Sequence, residues 1–397
     1  MGVNAGTGVG AGVGARTGAG TEAGAEVGAR TGARTEAGAE AGARTGAHTD
    51  AGTDAGTGTG TGTGTEVGAD AGTGTGTGTG TEVGADADTG VRDRRDGADP
   101  GALLAVTRRL IDLDSAGGGS AAVPLVRAVM REVPEATAAP ASLAHTGSDR
   151  LAALAELCEV IGWILFDAGF HAAAHRMNAR ALALAELCGD RWTARLTLLN
   201  DSMLLAHTGR PRVALAAAAR ARGPRPLPPR VATLVLIREA HATAMLGARR
   251  EPTDLMARAG SLFLDGVSRG DPAWAWWIDE RELAGHRGWV AARVGDFDRA
   301  VPLLRAAAAP TGPSYRHLFT AHLLAALTGA GAWSDAEQLI ADLAPRAADI
   351  GSARTTESLR DTAVRLLRAR EHRHDRAPAS VRDAAVFLLE SLTPTSH

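Results

Sequence analysis

The stretch "RGWVAARVGDFDRAVPLLRAA", residues 287–307, carries the pattern that decides the fold prediction. Gly288 and Gly295 lie seven positions apart, Ala300 follows five positions later, and Ala307 seven positions after that. Apolar residues recur every three or four positions on both sides of Gly295, which is typical of two amphipathic helices. A small residue lets two helices cross closely, and glycine adopts the left-handed backbone of a tight turn. The stretch therefore predicts an antiparallel helical hairpin.

Four other segments share this layout, and each has a turn glycine, so that the five turn glycines are Gly169, Gly209, Gly247, Gly295 and Gly331. The segment around Gly247 departs from the layout because "REPTD", 250–254, stands where its second helix should begin, and its later positions are expected to fail. The last segment departs at its first position, which is Leu324. The turns are 36 to 48 residues apart, somewhat more than the roughly 34 residues of a tetratricopeptide repeat. We predict an all-α, tetratricopeptide-like superhelix of helical hairpins.

Three predictions concern how helices begin and end. Asp296 and Asp298 follow the turn at Gly295 and are expected to cap the next helix. "SDAE", 334–337, has the form of a capping box in which Ser334 and Glu337 bond to free amides. Upstream, "LLAVTRRLIDLD", 103–114, has helical spacing, and "GGG" at 117–119 is expected to end that helix.

The composition of the chain changes near residue 100. Residues 1–100 contain no Leu, Ile, Phe, Trp or Tyr but hold 29 of the 50 glycines, and "TGTGTEVGAD" occurs in them twice. So little apolar surface cannot offset a backbone ordering entropy of about 1–2 kcal/mol per residue. We expect 1–100 to be a disordered acidic leader, although a translation start placed too far upstream would give the same composition. The expected body consists of N-terminal helices and a connector, 101–148, and a helical-repeat domain, 149–397.

Charge and cysteine content exclude some classes of function. Residues 1–100 carry 7 Arg and 14 acidic residues, the remainder carries 35 Arg and 31 acidic residues, and there is no Lys. Neither part has the charge of a polyanion-binding protein. Cys158 and Cys188 are too few and too far apart for a metal site or a disulfide framework, so we expect free thiols. No signal peptide or membrane span is evident, since His322 interrupts the longest uncharged stretch; a cytoplasmic protein is expected.

Three blocks, in order, resemble one family. They are "TRRLIDLDSAGGGSAAVPLVRAVMREV", "LAELCEVIGWILFDAGFHAAAHRMNARALALAELCGD" and "DPAWAWWIDERELAGHRGWVAARVGDFDRAV". Together they resemble the C-terminal tetratricopeptide-like sensor or interaction region of actinobacterial transcriptional regulators of the Cro/repressor type, over roughly 103–345. The resemblance implies a regulatory interaction module. Members of that family usually begin with a helix-turn-helix domain, but residues 1–100 have no pattern of three packed helices.

In helical repeats the first helix of each hairpin lines the concave groove, where partners bind. Projecting the register of the turn glycines onto the sequence gives a set of groove residues: Glu156, Glu159, Trp163, Phe166, Asp167, Met203, His207, His241, Met245, Glu282, Trp289 and Arg293. Aromatic and Met side chains beside a few charges suit an extended peptide, an amphipathic helix or a small effector.

"WAWWIDERELAGHRGW", 274–289, adds Asp279 and His286 to this groove. Asp279, Glu282 and His286 have the spacing i, i+3, i+7 and share one helix face, so they could ligate a metal. No HExxH motif or second ligand pair accompanies them, and we interpret the stretch as an acidic stripe of the groove with tryptophans as packing anchors. We predict no catalytic residue, metal ligand or cofactor.

A histidine pair and a basic run are two further candidate sites. His171 and His175 straddle a turn, so shared metal ligation by the "HAAAH" pair is not expected. Residues 202–238 hold seven Arg and no acidic residue, a basic run that could meet phosphates or the leader or could be a solvated loop.

The predicted function is a regulatory interaction module that binds a protein, a peptide or a small effector in its groove, in transcriptional or developmental and secondary-metabolism regulation. One alternative is a biosynthetic enzyme that uses Asp279, Glu282, His286 and His241 for acid–base chemistry. Another is a DNA-associated regulator that needs a partner to read DNA, since direct nucleic-acid binding is doubtful. No membrane association is expected, and the oligomeric state stays open.

Overall fold

A computed structural model of the chain describes residues 44–45, 60–61, 99–308, 313–368 and 377–393. Within the first hundred residues it describes two short strands, β1 (Arg44–Thr45) and β2 (Gly60–Thr61). They pair in parallel, with Arg44 opposite Gly60 and Thr45 opposite Thr61. Asp99 and Pro100, the last two residues of the predicted leader, are also described, and a helix begins at Pro100. The rest of the leader lies outside the described residues, so disorder there stays a prediction.

The described residues from Pro100 onward form an all-α body, as predicted. Its α-helices are α1 (Pro100–Glu132), α2 (Ser148–Asp167), α3 (His171–Cys188), α4 (Arg191–His207), α5 (Pro211–Arg222), α6 (Pro229–Met245), α7 (Arg250–Leu264), α8 (Glu280–Arg293), α9 (Phe297–Ala307), α10 (His317–Gly329), α11 (Trp333–Leu343), α12 (Ala353–Arg368) and α13 (Ala379–Ser391). Short 3-10 helices span Pro134–Ala136, Pro140–Leu143, Ala273–Trp277, Ser314–Arg316 and Ala344–Asp349.

The five predicted turn glycines all adopt the left-handed backbone, with φ between 68° and 86°. Each lies between the two helices of a hairpin: α2/α3, α4/α5, α6/α7, α8/α9 and α10/α11. The second helix of the third hairpin, α7, forms in spite of the "REPTD" sequence, because Pro252 falls in its first turn, where no backbone hydrogen bond is lost. Its Ala259 occupies the last position of the common layout and is fully buried, so the expectation that this position fails is wrong. The predicted hairpin array is confirmed.

Small residues lie where the helices of a hairpin cross. A methyl group added at Gly288 would lie 2.6 Å from Cγ of Leu304 on the partner helix. Ser202 donates a hydrogen bond of 2.8 Å to the carbonyl oxygen of Ala214 across the α4/α5 crossing. Close approach of the two backbones is therefore what the small residue provides.

The predictions about helix ends had mixed outcomes. Asp296 caps α9 by accepting a hydrogen bond from the Arg299 amide, as expected, whereas Asp298 lies inside the first turn of α9 and is not its cap. The predicted capping box at 334–337 is wrong, because α11 already begins at Trp333 and its first residues make no side-chain cap. The "GGG" stretch breaks α1 at Gly118, whose φ is 76°, and helical backbone resumes directly after it.

Helix α12 follows the five hairpins in the chain and contacts the first of them. Oδ1 of Asp167, the last residue of α2, accepts hydrogen bonds of 2.8 Å from both Ser352 Oγ and Arg354 Nη2. The backbone amide of Ser120 donates to the Gly351 carbonyl oxygen at 2.8 Å, so the break in α1 meets the same segment. These contacts join the start of α12, which follows the fifth hairpin, to α1 and to the first hairpin. No local pattern in the sequence predicts them. None of the helices in the described ranges is long and apolar enough to cross a membrane.

Candidate functional site: the inner face of the hairpin array

Polar side chains recur at one register position of the inner helices. The residue two positions before the helix crossing is Arg238 in the third hairpin, His286 in the fourth and His322 in the fifth. The residue one position after the crossing is His241 in the third hairpin and Trp289 in the fourth. Side chains at these positions contact one another between neighbouring hairpins.

His241 connects the third and fourth hairpins. Its Nε2 lies 3.1 Å from Nδ1 of His286, a distance at which one ring donates a hydrogen bond to the other. The His241 ring also stacks on Trp289, with centroids 4.2 Å apart and an interplanar angle of 22°. Trp289 in turn lies 6.2 Å from the ring of His322 on the fifth hairpin. The predicted groove residues His241, His286 and Trp289 are therefore brought together.

Burial keeps these imidazoles neutral. It lowers the pKa of His241 well below the ordinary value, with His286 and Arg238 adding to the effect. Burial also lowers the pKa of His286, although Glu282, whose Oε1 lies 3.2 Å from His286 Nε2, acts in the opposite direction. Burial lowers the pKa of His322 to about 3. At neutral pH each ring therefore offers one N–H donor and one nitrogen acceptor, and no charge.

Arg238 is the buried cation of this face. Arg238 is 2 % exposed, and its Nε donates a hydrogen bond of 3.1 Å to the Leu199 carbonyl oxygen. Among the described residues its Nη1 has no hydrogen-bond partner, and no carboxylate forms an ion pair with it. Burial lowers the pKa of Arg238 to about 10, which the nearby Glu282 carboxylate opposes. The guanidinium is still a cation at neutral pH, without a direct counter-ion in the described part of the chain.

The acidic residues of the 274–289 stretch do not converge on one point. Asp279 caps α8 by accepting from the Glu282 amide at 2.9 Å, and its Oδ2 receives Nη2 of Arg316 at 2.6 Å. Glu282 instead faces His286 and lies 3.9 Å from Nε of Arg316. The possible metal ligation by Asp279, Glu282 and His286 is therefore not supported by their placement. Trp274, Trp277 and Trp289 pack against the neighbouring core, as expected.

A second group of predicted groove residues lies at the closure of the array. Trp163 and Phe166 lie under the guanidinium of Arg354, whose carbon is 4.7 Å and 4.5 Å from their ring centroids. Nη1 of Arg354 also lies 3.4 Å from the Met203 sulfur. Phe166 and Asp167 are each 1 % exposed, so both lie in the interior, where they contact Arg354.

The remaining predicted groove residues are placed in different ways. Glu159 is buried and accepts a hydrogen bond from Asn200; burial raises its pKa to about 8. Met245 is half-buried against the alanines of α5, whereas Glu156 and Arg293 are exposed. His207 lies beside Glu357 of α12, with Nε2 and Oε2 3.3 Å apart.

Three residues of this inner face, Arg238, His322 and Arg354, are not among the predicted groove residues. Arg238 and His322 occupy the position of His286 in the neighbouring repeats, so applying that position to every hairpin would have found them. Arg354 had no such signal, because it enters the site through the return of α12. The predicted basic run is divided: Arg220 and Arg222 lie on α5 and pair with Glu186 and Glu239, while Arg238 is buried.

A separate cleft of about 560 Å³ lies between α6, α7 and the 3-10 helix Ala273–Trp277. Arg230 crosses its wall, with its guanidinium carbon 3.7 Å from the Phe263 ring centroid. Val267 and Trp276, which line the cleft, are 77 % and 73 % exposed. Nothing in the described residues shows what covers this surface.

Comparisons with known proteins give likenesses of fold only. No family model and no curated protein matches the chain. Among solved structures, the chain is similar to a Rap protein complexed with competence and sporulation factor, at 13 % identity and a TM-score of 0.49, over 73 % of each chain. It is also similar to the P58(IPK) TPR domain, at 13 % identity and a TM-score of 0.18, over 74 % of this chain and 98 % of that one.

Proposed function

We propose that this protein is a helical-repeat interaction module whose inner face binds a peptide, a segment of a protein or a small effector through an anionic group. The observation that carries the proposal is the Arg238 guanidinium, which is buried and has one unpartnered Nη1 among the described residues. A buried charge is costly unless it is paired and hydrogen-bonded. A bound carboxylate or phosphate would supply the missing partner.

The surroundings of Arg238 support this ligand chemistry. The neutral ring of His322 has an unpartnered nitrogen among the described residues, Nδ1, that can accept or donate a hydrogen bond. The stacked pair of His241 and Trp289 is half-buried and offers a flat apolar surface beside these polar atoms. A ligand with an anionic group next to an apolar or aromatic group matches that arrangement.

The regulatory setting of the proposal rests on the resemblance to actinobacterial regulators. We infer that the module senses its ligand in the cytoplasm and acts in transcriptional or developmental and secondary-metabolism regulation. If DNA is read at all, a partner protein must supply the DNA-reading element. A DNA-associated role would appear as salt-dependent retention of residues 101–397 on duplex DNA, and no retention at low salt would remove it.

A phage-displayed peptide library tests the binding function. We expect selection on the full chain to enrich acidic peptides, and the Arg238→Gln variant to bind the enriched peptides at least about tenfold more weakly, since an ionic hydrogen bond is lost. Arg305→Gln is the matched control, because Arg305 is exposed on α9 and pairs only with Asp335 among the described carboxylates. Native mass spectrometry of the purified chain covers the small-effector case. If Arg238→Gln selects the same peptides with equal affinity and copurifies with the same effector, the proposal is wrong.

The enzyme alternative has one observation in its favour. Glu282, His286 and His241 form a continuous chain of contacts, of the kind that orients a general base. The lowered pKa values of both rings weaken it, since a general base works best near the operating pH. Turnover of a selected ligand that disappears in Glu282→Gln while binding persists would favour catalysis.

A further inference from the structure

Three side chains outside the Arg238 surroundings bring together potential metal-ligand atoms. They are His171 at the start of α3, His207 at the end of α4 and Glu357 on α12. One ligand atom of each lies within 4.8 Å of the other two. His175, the other histidine of "HAAAH", does not belong to this group, and its Nδ1 lies 2.9 Å from Oδ1 of Asp201.

The distances suit a small divalent ion. Zn²⁺ bonds to imidazole nitrogen and carboxylate oxygen are about 2.0–2.2 Å long. In tetrahedral coordination two such ligand atoms are therefore a little over 3 Å apart, and His207 Nε2 and Glu357 Oε2 are 3.3 Å apart. The rings of His171 and His207 have centroids 5.2 Å apart, and the ligand atoms of all three residues lie within 4.8 Å of one another.

The site is also prepared by its neighbours. Nε2 of His171 is buried and has no hydrogen-bond partner among the described residues, which leaves it available as a ligand. The Phe166 ring contacts both imidazoles, with centroid distances of 5.9 Å to His171 and 5.4 Å to His207. The side chains of His207 and Glu357 are 30 % and 47 % exposed, so an ion can enter and keep water as a further ligand.

We propose that His171, His207 and Glu357 form a binding site for a divalent transition metal, with Zn²⁺ as the ion that the donor set favours. Two imidazoles and one carboxylate suit Zn²⁺ better than Mg²⁺ or Ca²⁺, which prefer oxygen ligands. The ion would link α3 and α4 to α12, next to the hydrogen bonds between Asp167 and Arg354. Metal binding therefore stabilises the contact of α12 with the first two hairpins, and its free energy adds to the stability of the fold.

Titration of chelator-treated full chain with Zn²⁺, followed by calorimetry and by thermal unfolding, tests the site. We expect a binding step of one ion per chain that raises the unfolding midpoint, and none with Mg²⁺. Co²⁺ should give the visible absorption of nitrogen-ligated metal. Substitution by His207→Ala or Glu357→Gln should weaken Zn²⁺ binding at least about tenfold, because a direct ligand is lost. Circular dichroism of the variants confirms that they are folded.

His175→Ala is the matched control, because His175 lies one turn after His171 on α3 and is half exposed. Its Zn²⁺ affinity should equal that of the unmodified chain. Equal weakening by His175→Ala would show that the "HAAAH" pair binds the ion instead. Undiminished binding in both His207→Ala and Glu357→Gln, or no saturable binding at all, would overturn the site.

Discussion

Asp167 and Arg354 are 187 residues apart in sequence, yet Nε and Nη2 of Arg354 donate to the same carboxylate oxygen at 2.9 Å and 2.8 Å. Their side chains are 1 % and 4 % exposed. The other carboxylate oxygen accepts from the Gly119 amide at 3.0 Å, so the pair also engages the break in α1. A buried ion pair of this kind specifies how the two ends of the array meet, because neither charge tolerates burial alone.

Asp167→Asn should therefore be strongly destabilising. The variant leaves the Arg354 cation buried without its counter-charge, and breaking a buried pair typically costs about 3–5 kcal/mol. Urea unfolding at neutral pH measures the loss. The matched control is Asp335→Asn, which removes the exposed pair with Arg305 and should cost about 0–1 kcal/mol. Similar losses in the two variants would contradict the role of the closure.

Two glycine-to-alanine substitutions should have opposite effects. A methyl group at Gly285 would overlap ring atoms of Phe319, which is buried on α10 and cannot move aside, so Gly285→Ala should cost about 1–3 kcal/mol. Gly260 lies within α7 with nothing in reach of an added methyl, so Gly260→Ala should stabilise by about 0.4–1 kcal/mol. Thermal or urea unfolding of both variants gives the comparison. A stabilising Gly285→Ala would show that α8 and α10 do not pack as described.

The stability of the protein should depend on pH through Glu159. Burial raises the pKa of Glu159 in the folded state to about 8 from an ordinary 4.5. The folded chain then holds a proton that the unfolded chain releases, so this contribution is fully present below about pH 4.5 and is lost as pH rises to about 8.

Glu159→Gln should remove that loss while keeping an acceptor for Asn200. The stability of the variant relative to the unmodified chain should increase across this window, by at most about 1.4 kcal/mol per pH unit. Urea unfolding of both chains from acidic to mildly alkaline pH measures it. A difference that stays constant with pH would mean that Glu159 titrates alike in the folded and unfolded chains.

Removal of residues 1–98 should leave the thermal midpoint of the body nearly unchanged. The reason is compositional, since those residues have no Leu, Ile, Phe, Trp or Tyr to contribute to a shared core. Differential scanning calorimetry of the shortened and full chains makes the comparison. A midpoint several degrees lower in the shortened chain would show that the N-terminal segment stabilises the body.

The hairpin array could be predicted because its signals are local. Gly169 and Gly295 mark turns that need left-handed backbone, and residues such as Gly288 mark crossings where backbones approach. The same register gave His241 and Trp289 as groove residues, and helical spacing from Glu282 added His286; that the three rings meet was found only in the structure. The capping box at 334–337 failed since a helix can start one residue earlier without a side-chain cap.

By itself, the sequence determined the helical hairpins and their order, because backbone conformation and helical periodicity depend on residues only a few positions apart. Only the tertiary structure decided that α12 comes back to α2, and with it the Asp167–Arg354 pair and the meeting of His171, His207 and Glu357. The physical reason is that small rotations between neighbouring hairpins accumulate along the array. Whether its ends meet depends on their sum, which no local pattern encodes.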